Sequence, residues 1–268
     1  MKPSLLILVA ILPMIAIGQP TTLPDSKTPI RVTLKYDRPI GGYDVTAVWQ
    51  PFEAKNCETG CITATFRNAT TGMVFKYVNN EKFSSYFTDH ITFSEGFEGY
   101  KDGDVYTIKY ITPDTPNLPH KPIDYYLPFQ FYDVDFDGKD ELLVRDWGGS
   151  QNGDCRVYEV TNQGLKEKAY FPFGEIDAQT EFYKNQNTIK LCIEDGAWLY
   201  YEVICKKYPK KEAQQLTIPT DIDPPLQEIL ADINARVTTS DFHVVSASVR
   251  LGEKVYELFV VRDRWNLK

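Results

Sequence analysis

Apolar and polar positions alternate from Ile30 onward, and that alternation sets the expected fold. Ile30, Val32, Leu34 and Tyr36 share one face of an extended segment, and Val45-Thr46-Ala47-Val48-Trp49 repeats the period of two. Ile62 to Phe66 and Met73 to Tyr77 flank Asn68-Ala69-Thr70-Thr71-Gly72, a hairpin signal. Lys101-Asp102-Gly103-Asp104 then turns the chain into a strand over Val105 to Ile111, its aspartates serving turn chemistry. Pro113, Pro116, Pro119 and Pro122 interrupt the pattern and mark an internal boundary.

Beyond the prolines, two short strands flank an acidic loop at Asp133 to Glu141, and Cys155 to Val160 forms another strand. Asn187 to Ile193 and Ala197 to Val203 read as a hairpin turning at Asp195-Gly196, followed by a polar connector from about Tyr208 to Pro225. Asp223 is placed to cap a helix with Pro224 at its first position. Leu226, Ile229, Leu230, Ile233 and Val237 fall on one face of that helix, a stripe suited to core packing. Strands over Phe242 to Leu251 and Lys254 to Val261 close the chain around Gly252-Glu253. The expected fold is mainly β, an antiparallel sandwich or a propeller-like arrangement, with one C-terminal amphipathic helix. Its segments are a signal peptide (1–18), a polar leader (19–28), an N-terminal β-rich region (29–112), a β-region holding the acidic loop (123–208) and a helix with a β-hairpin (219–268). The alternative is that all of these β regions form one globular domain.

The first residues change the compartment. Lys2, the apolar run from Leu5 to Ile17 and the small-x-small site Ala16-Ile17-Gly18 have the layout of a cleavable secretory signal, so the expected product is exported, periplasmic or secreted. The run is too short to span a bilayer, Pro13 interrupts it, and no later stretch is apolar enough to cross a membrane. A net charge of −8 without any basic cluster argues against a nucleic-acid partner. Five cysteines in an exported chain suggest disulfides. Cys57 and Cys61 could close a small loop. With a two-residue turn at Asp195-Gly196, Cys192 faces Leu199 and Cys205 lies about 20 Å further on, too far for a bridge. Cys155 is then the better partner for one of the two. Three scattered histidines argue against a zinc site.

The densest chemistry is Phe131-Tyr132-Asp133-Val134-Asp135-Phe136-Asp137-Gly138-Lys139-Asp140-Glu141. Carboxylates on alternate positions, a glycine for the sharp turn and a later carboxylate are how a short loop wraps Ca²⁺. The expected ligands are Asp133, Asp135, Asp137, the carbonyl of Lys139, and Glu141. Such a cluster would repel itself without a cation. The twelfth position of an EF-hand is here Val144, and a strand rather than a helix follows, so the loop joins two strands. The other reading is a solvated acidic turn without metal. Arg145, Asp146, Trp147 and Ser150 follow it in the chain and are the candidate partner contacts on proximity alone, with a buried, structural Trp147 as the alternative. Gly148, Gly149 and Gly153 have no lysine and no following helix, which excludes a phosphate cradle.

Residues from about Leu127 to Tyr208 resemble a family of bacterial periplasmic proteins related to inhibitors of lysozyme-like enzymes. Some of that family act as immunity proteins against peptidoglycan-cleaving toxins. The resemblance rests on Asp133, Asp135, Phe136, Asp137, Gly138, Glu141 and Leu142, then Gly148, Gly149, Tyr158 and Asn187 to Leu191. It implies a non-catalytic, calcium-binding inhibitor or immunity-type binder whose partner is a muralytic enzyme or toxin. A calcium-dependent carbohydrate-binding protein, with a glycan partner, or a structural envelope protein is the alternative. An enzyme is disfavoured because the tightest carboxylate cluster is accounted for by calcium, and no nucleophile elbow or triad can be named.

Overall fold

A computed structural model of the chain describes residues 30–53, 59–84, 98–110, 120–123, 127–145, 155–195, 199–212, 214–237 and 240–268. The protein is mainly β, as the alternation requires, with one α-helix among the described residues. Strands β1 (Val32–Tyr36), β2 (Tyr43–Pro51), β3 (Thr59–Asn68), β4 (Val74–Ser84) and β5 (Val105–Ile108) form a first sheet in the order β4-β3-β2-β1-β5. Only the β1–β5 pairing in this sheet is parallel. The middle sheet is the antiparallel run β6 (Phe129–Tyr132), β7 (Glu141–Arg145), β8 (Cys155–Thr161) and β9 (Gly164–Glu167). The third is antiparallel in the order β10 (Glu181–Tyr183), β11 (Thr188–Asp195), β12 (Leu199–Glu212), β13 (Ser240–Leu251), β14 (Lys254–Val261), β15 (Arg264–Leu267).

The period of two decides which face of the first sheet is covered. Val32, Leu34, Val45, Ala47, Trp49, Ile62, Ala64, Phe66, Phe75 and Tyr77 are buried, while Val48 and Val78 between them are exposed. The middle sheet covers this face. β7 is buried at all five positions, so Leu142 and Val144 join the first sheet's core together with Phe129. Leu143 points the other way, into a second core with Val157, Cys155, the third sheet and the helix. The apolar run Leu142-Leu143-Val144 is therefore a strand packed on both faces, and the regions drawn at 29–112 and 123–208 share a core. Gly41 locks the first of these contacts. Its positive φ of 54° suits a residue without a side chain, and a Cβ there would stand 2.4 Å from Phe131 Cδ2.

The helix α1 (Pro224–Arg236) buries Leu226, Ile229, Leu230 and Ile233 of the predicted stripe, whereas Val237 lies just past its end in extended backbone and is partly buried. Asp223 precedes it without a side-chain cap, because its carboxylate instead accepts a 2.6 Å hydrogen bond from Tyr256 Oη. Two further expectations are corrected. β12 continues to Glu212, well into the stretch read as a connector, and pairs with β13 at Lys207–Phe242 and again, after a register shift, at Glu212–Ser240. The β11–β12 hairpin closes at Asp195–Leu199, so Cys192 faces Glu202 and Cys205 faces Ile189. The two cysteines are then three positions apart, about 10 Å, still beyond bridging distance. Among the described residues no disulfide joins Cys61, Cys155, Cys192 or Cys205, and Cys57 lies outside those residues.

Candidate functional site

The acidic loop is the connection between β6 and β7, closed by the Tyr132–Glu141 pair at the end of the middle sheet. Its turn follows from local chemistry. Asp133 Oδ1 and Asp135 Oδ1 each accept a 3.0 Å bond from the Asp137 amide, and Asp137 Oδ1 accepts one of 2.8 Å from the Lys139 amide. Phe136 (φ 59°) and Gly138 (φ 87°) take the left-handed conformation that folds the chain back. Phe136 packs partly buried against the second core, with Phe242 as a ring neighbour. Glu141 reaches back to accept a 3.1 Å bond from the Val134 amide.

This geometry brings one carboxylate oxygen each of Asp133, Asp135 and Glu141 to within 4.8 Å of one another. Asp137 turns to Lys139, whose amide it binds and whose ammonium lies 4.0 Å away at an exposed tip. Three of the five predicted ligands thus converge through their carboxylates, while Asp137 and Lys139 form the turn and the tip.

Lysines from distant parts of the chain meet this cluster. Lys168 follows β9, where its amide extends the pairing to Val157, and its side chain enters the loop. Its Nζ donates 2.7 Å bonds to both Asp135 Oδ2 and Glu141 Oε1, and the residue is only 7 % exposed. Phe173, 1 % exposed, lies beneath that ammonium with its ring centre 5.4 Å away. Lys207 of β12 donates to the carbonyl of Asp135 and lies 3.8 Å from Asp241. Lys184 stands 3.6 Å from Asp133 and 4.4 Å over the Tyr132 ring.

The electrostatics follow from this arrangement. Burial pulls the Lys168 ammonium toward the neutral form, but hydrogen bonds and charges from Asp135 and Glu141 outweigh it and raise its pKa. Burial raises the pKa of Glu141, with Lys168 opposing. The positive charge that so dense a cluster requires is present within the chain, in the Lys168 ammonium.

The donor set is of the hard-oxygen kind that calcium takes, but the fit is poor with Lys168 in place. Both oxygens of Asp135 and of Glu141 already accept hydrogen bonds. The wall beyond Lys168 is an aromatic face, which offers no oxygen. The lysines carried no sequence signal. They sit 27 and more residues from the acids they meet, and nothing in their local pattern distinguishes them.

Of the predicted partner contacts, Arg145 ends β7 at the far end of the strand from the loop, about 13 Å along it. The residue is 4 % exposed. Chain proximity to the loop therefore did not mean proximity in space for Arg145. Asp146, Trp147 and Ser150 lie outside the described residues. The exposed tip runs instead over Asp137 to Asp140.

No family model matches the chain, and no curated protein does. Among solved structures, one described as "Structure of a Xanthomonas Type IV Secretion System related protein" is similar. Its identity is 7%, its TM-score is 0.47, and the alignment covers 88% of this chain and 92% of that one. A likeness at that level carries no argument about function.

Proposed function

We propose that the protein is an exported, non-catalytic binding protein of the cell envelope, of the inhibitor or immunity type, whose partner is a lysozyme-like, peptidoglycan-cleaving enzyme or toxin. The observation that supports this reading is the pinned acidic loop. Asp135 and Glu141 at its base are tied by Lys168, while the tip at Asp137 to Asp140 stays exposed. A loop held in one shape offers a contact that loses little entropy on binding, which is what insertion into an enzyme cleft rewards. The reading does not depend on which cation holds the loop, calcium as the ligand spacing predicts or the Lys168 ammonium.

The test is inhibition of cell-wall lysis by a co-resident muralytic enzyme, followed as loss of turbidity. Intact protein should slow lysis, and Asp140→Lys at the tip should weaken it at unchanged melting temperature. Lysis at the same rate with and without the protein, across the muralytic enzymes of the source cell, would reject the proposal.

The carbohydrate alternative has one specific observation in its favour. A groove of about 390 Å³ on the third sheet is lined by Tyr208, Gln214, His243, Arg262 and Asp263, with the rings of Tyr208 and His243 5.0 Å apart. Retention of a cell-wall glycan that Tyr208→Ala abolishes would favour that reading.

A further inference from the structure

We propose that the Lys168 ammonium is the resident cation of this loop and excludes calcium from it, so that a loop with calcium-type spacing works without metal. This goes beyond the binding role, and its test involves no partner, so the two can fail separately.

Four observations carry it. Lys168 Nζ lies 2.7 Å from Asp135 Oδ2 and 2.7 Å from Glu141 Oε1, two of the three carboxylates that converge in the loop. It therefore holds the oxygens a metal would need most. The remaining oxygens of those two residues accept amides, Val134 on Glu141 Oε2 and Asp137 on Asp135 Oδ1. The far side of the ammonium is the ring of Phe173. An aromatic face attracts an ammonium, whereas calcium requires six to eight oxygens around it. Finally, Lys207 and Lys184 add positive charge at the same cluster, next to Asp135 and Asp133. A divalent ion entering here would meet three ammonium groups and would have to displace the most buried of them.

The loop keeps the carboxylates of a calcium site, so removing the lysine should expose one. The substitution is Lys168→Ser, which deletes the ammonium and leaves room, with Lys168→Arg as the charge-retaining control. Each full-length variant is melted in millimolar calcium and in chelator, and titrated with terbium, whose luminescence reports occupation of a calcium site.

The wild type should melt at the same temperature in both conditions and take up no terbium. Lys168→Ser should melt lower than wild type in chelator, be raised by calcium, and bind terbium in a manner lost on adding Asp133→Asn. Lys168→Arg should stay insensitive to calcium. If Lys168→Ser folds only when calcium is present, the proposal is equally supported. If it folds in neither condition, the wild-type titration decides: no terbium uptake supports the proposal. Terbium uptake by the wild type that Asp133→Asn abolishes would overturn it. A folded Lys168→Ser that ignores calcium would overturn it as well, because the loop would then have no latent site to exclude calcium from.

Discussion

Lys168 donates a hydrogen bond of 2.7 Å to Glu141 across 27 residues of chain, and both side chains are almost fully covered. The pair ties the end of β9 to the start of β7 and passes through Asp135 into the loop. Breaking a buried pair on one side leaves an uncompensated charge and typically costs about 3–5 kcal/mol, whereas exposed pairs contribute about 1 kcal/mol or less. Lys168→Met should therefore lower unfolding free energy by about 3–5 kcal/mol in urea denaturation. Adding Glu141→Gln should recover part of that loss, since the stranded charge is then removed. A loss of about 1 kcal/mol or less for the single variant would mean that the pair behaves as if exposed.

Leu142 and Leu143 are adjacent in β7 and point into different cores, and both are buried to 1 % exposure or less. Each truncation to alanine should cost about 2–5 kcal/mol in chemical denaturation. If either proved nearly neutral, the middle sheet would have a solvated face, contrary to the three-sheet packing.

The two glycines Gly41 and Gly138 both have positive φ but differ in surroundings. Around Gly138 a Cβ would meet nothing within 4 Å, so Gly138→Ala should cost only the backbone term, about 1–2 kcal/mol. Gly41→Ala adds a clash with Phe131, and overpacking of that kind adds about 1–3 kcal/mol. Thermal melts should rank Gly41→Ala as clearly the less stable, and the reverse order would argue against the Gly41–Phe131 contact.

Acid should loosen the helix from the third sheet. Asp232 of α1 accepts hydrogen bonds from Tyr201 of β12 and, at 2.8 Å, from Arg236. Burial raises its pKa, but those bonds and the Arg236 charge outweigh it and leave it below the ordinary 3.8. A carboxylate so depressed adds stability that is present above the ordinary value and is lost as pH falls through the folded one. Stability should therefore drop below about pH 4 through this group, and Asp232→Asn should flatten that part of the profile. An unchanged acid limb in the variant would remove Asp232 from the account.

The strands of the first sheet and the helix could be read directly, because alternation and the 3.6-residue stripe are local records of which side is covered. β9, β10 and β15 leave no such record in the sequence. Each is three or four residues long, and so short a segment holds too few alternations to stand out from loop. The β11–β12 register is not local either: closing the hairpin at Asp195–Leu199 rather than around Asp195-Gly196 moves each β11 partner three positions along β12, and only the paired strands choose between the two.

By itself the amino-acid order determined that this chain is mainly β with a late helix, and that Asp133, Asp135, Asp137, Lys139 and Glu141 lie around a tight turn, while the structure decided that only the carboxylates of Asp133, Asp135 and Glu141 converge. Hydrophobic period, glycine placement and side-chain-to-backbone bonds act over a few residues, so they are written in the order of the chain. Only the tertiary structure decided that β7 serves two cores and that Lys168, Lys184 and Lys207 meet the acidic loop. Charges find their partners through space, and a lysine 27 or 72 residues away is placed by the packing of whole sheets rather than by its neighbours in sequence.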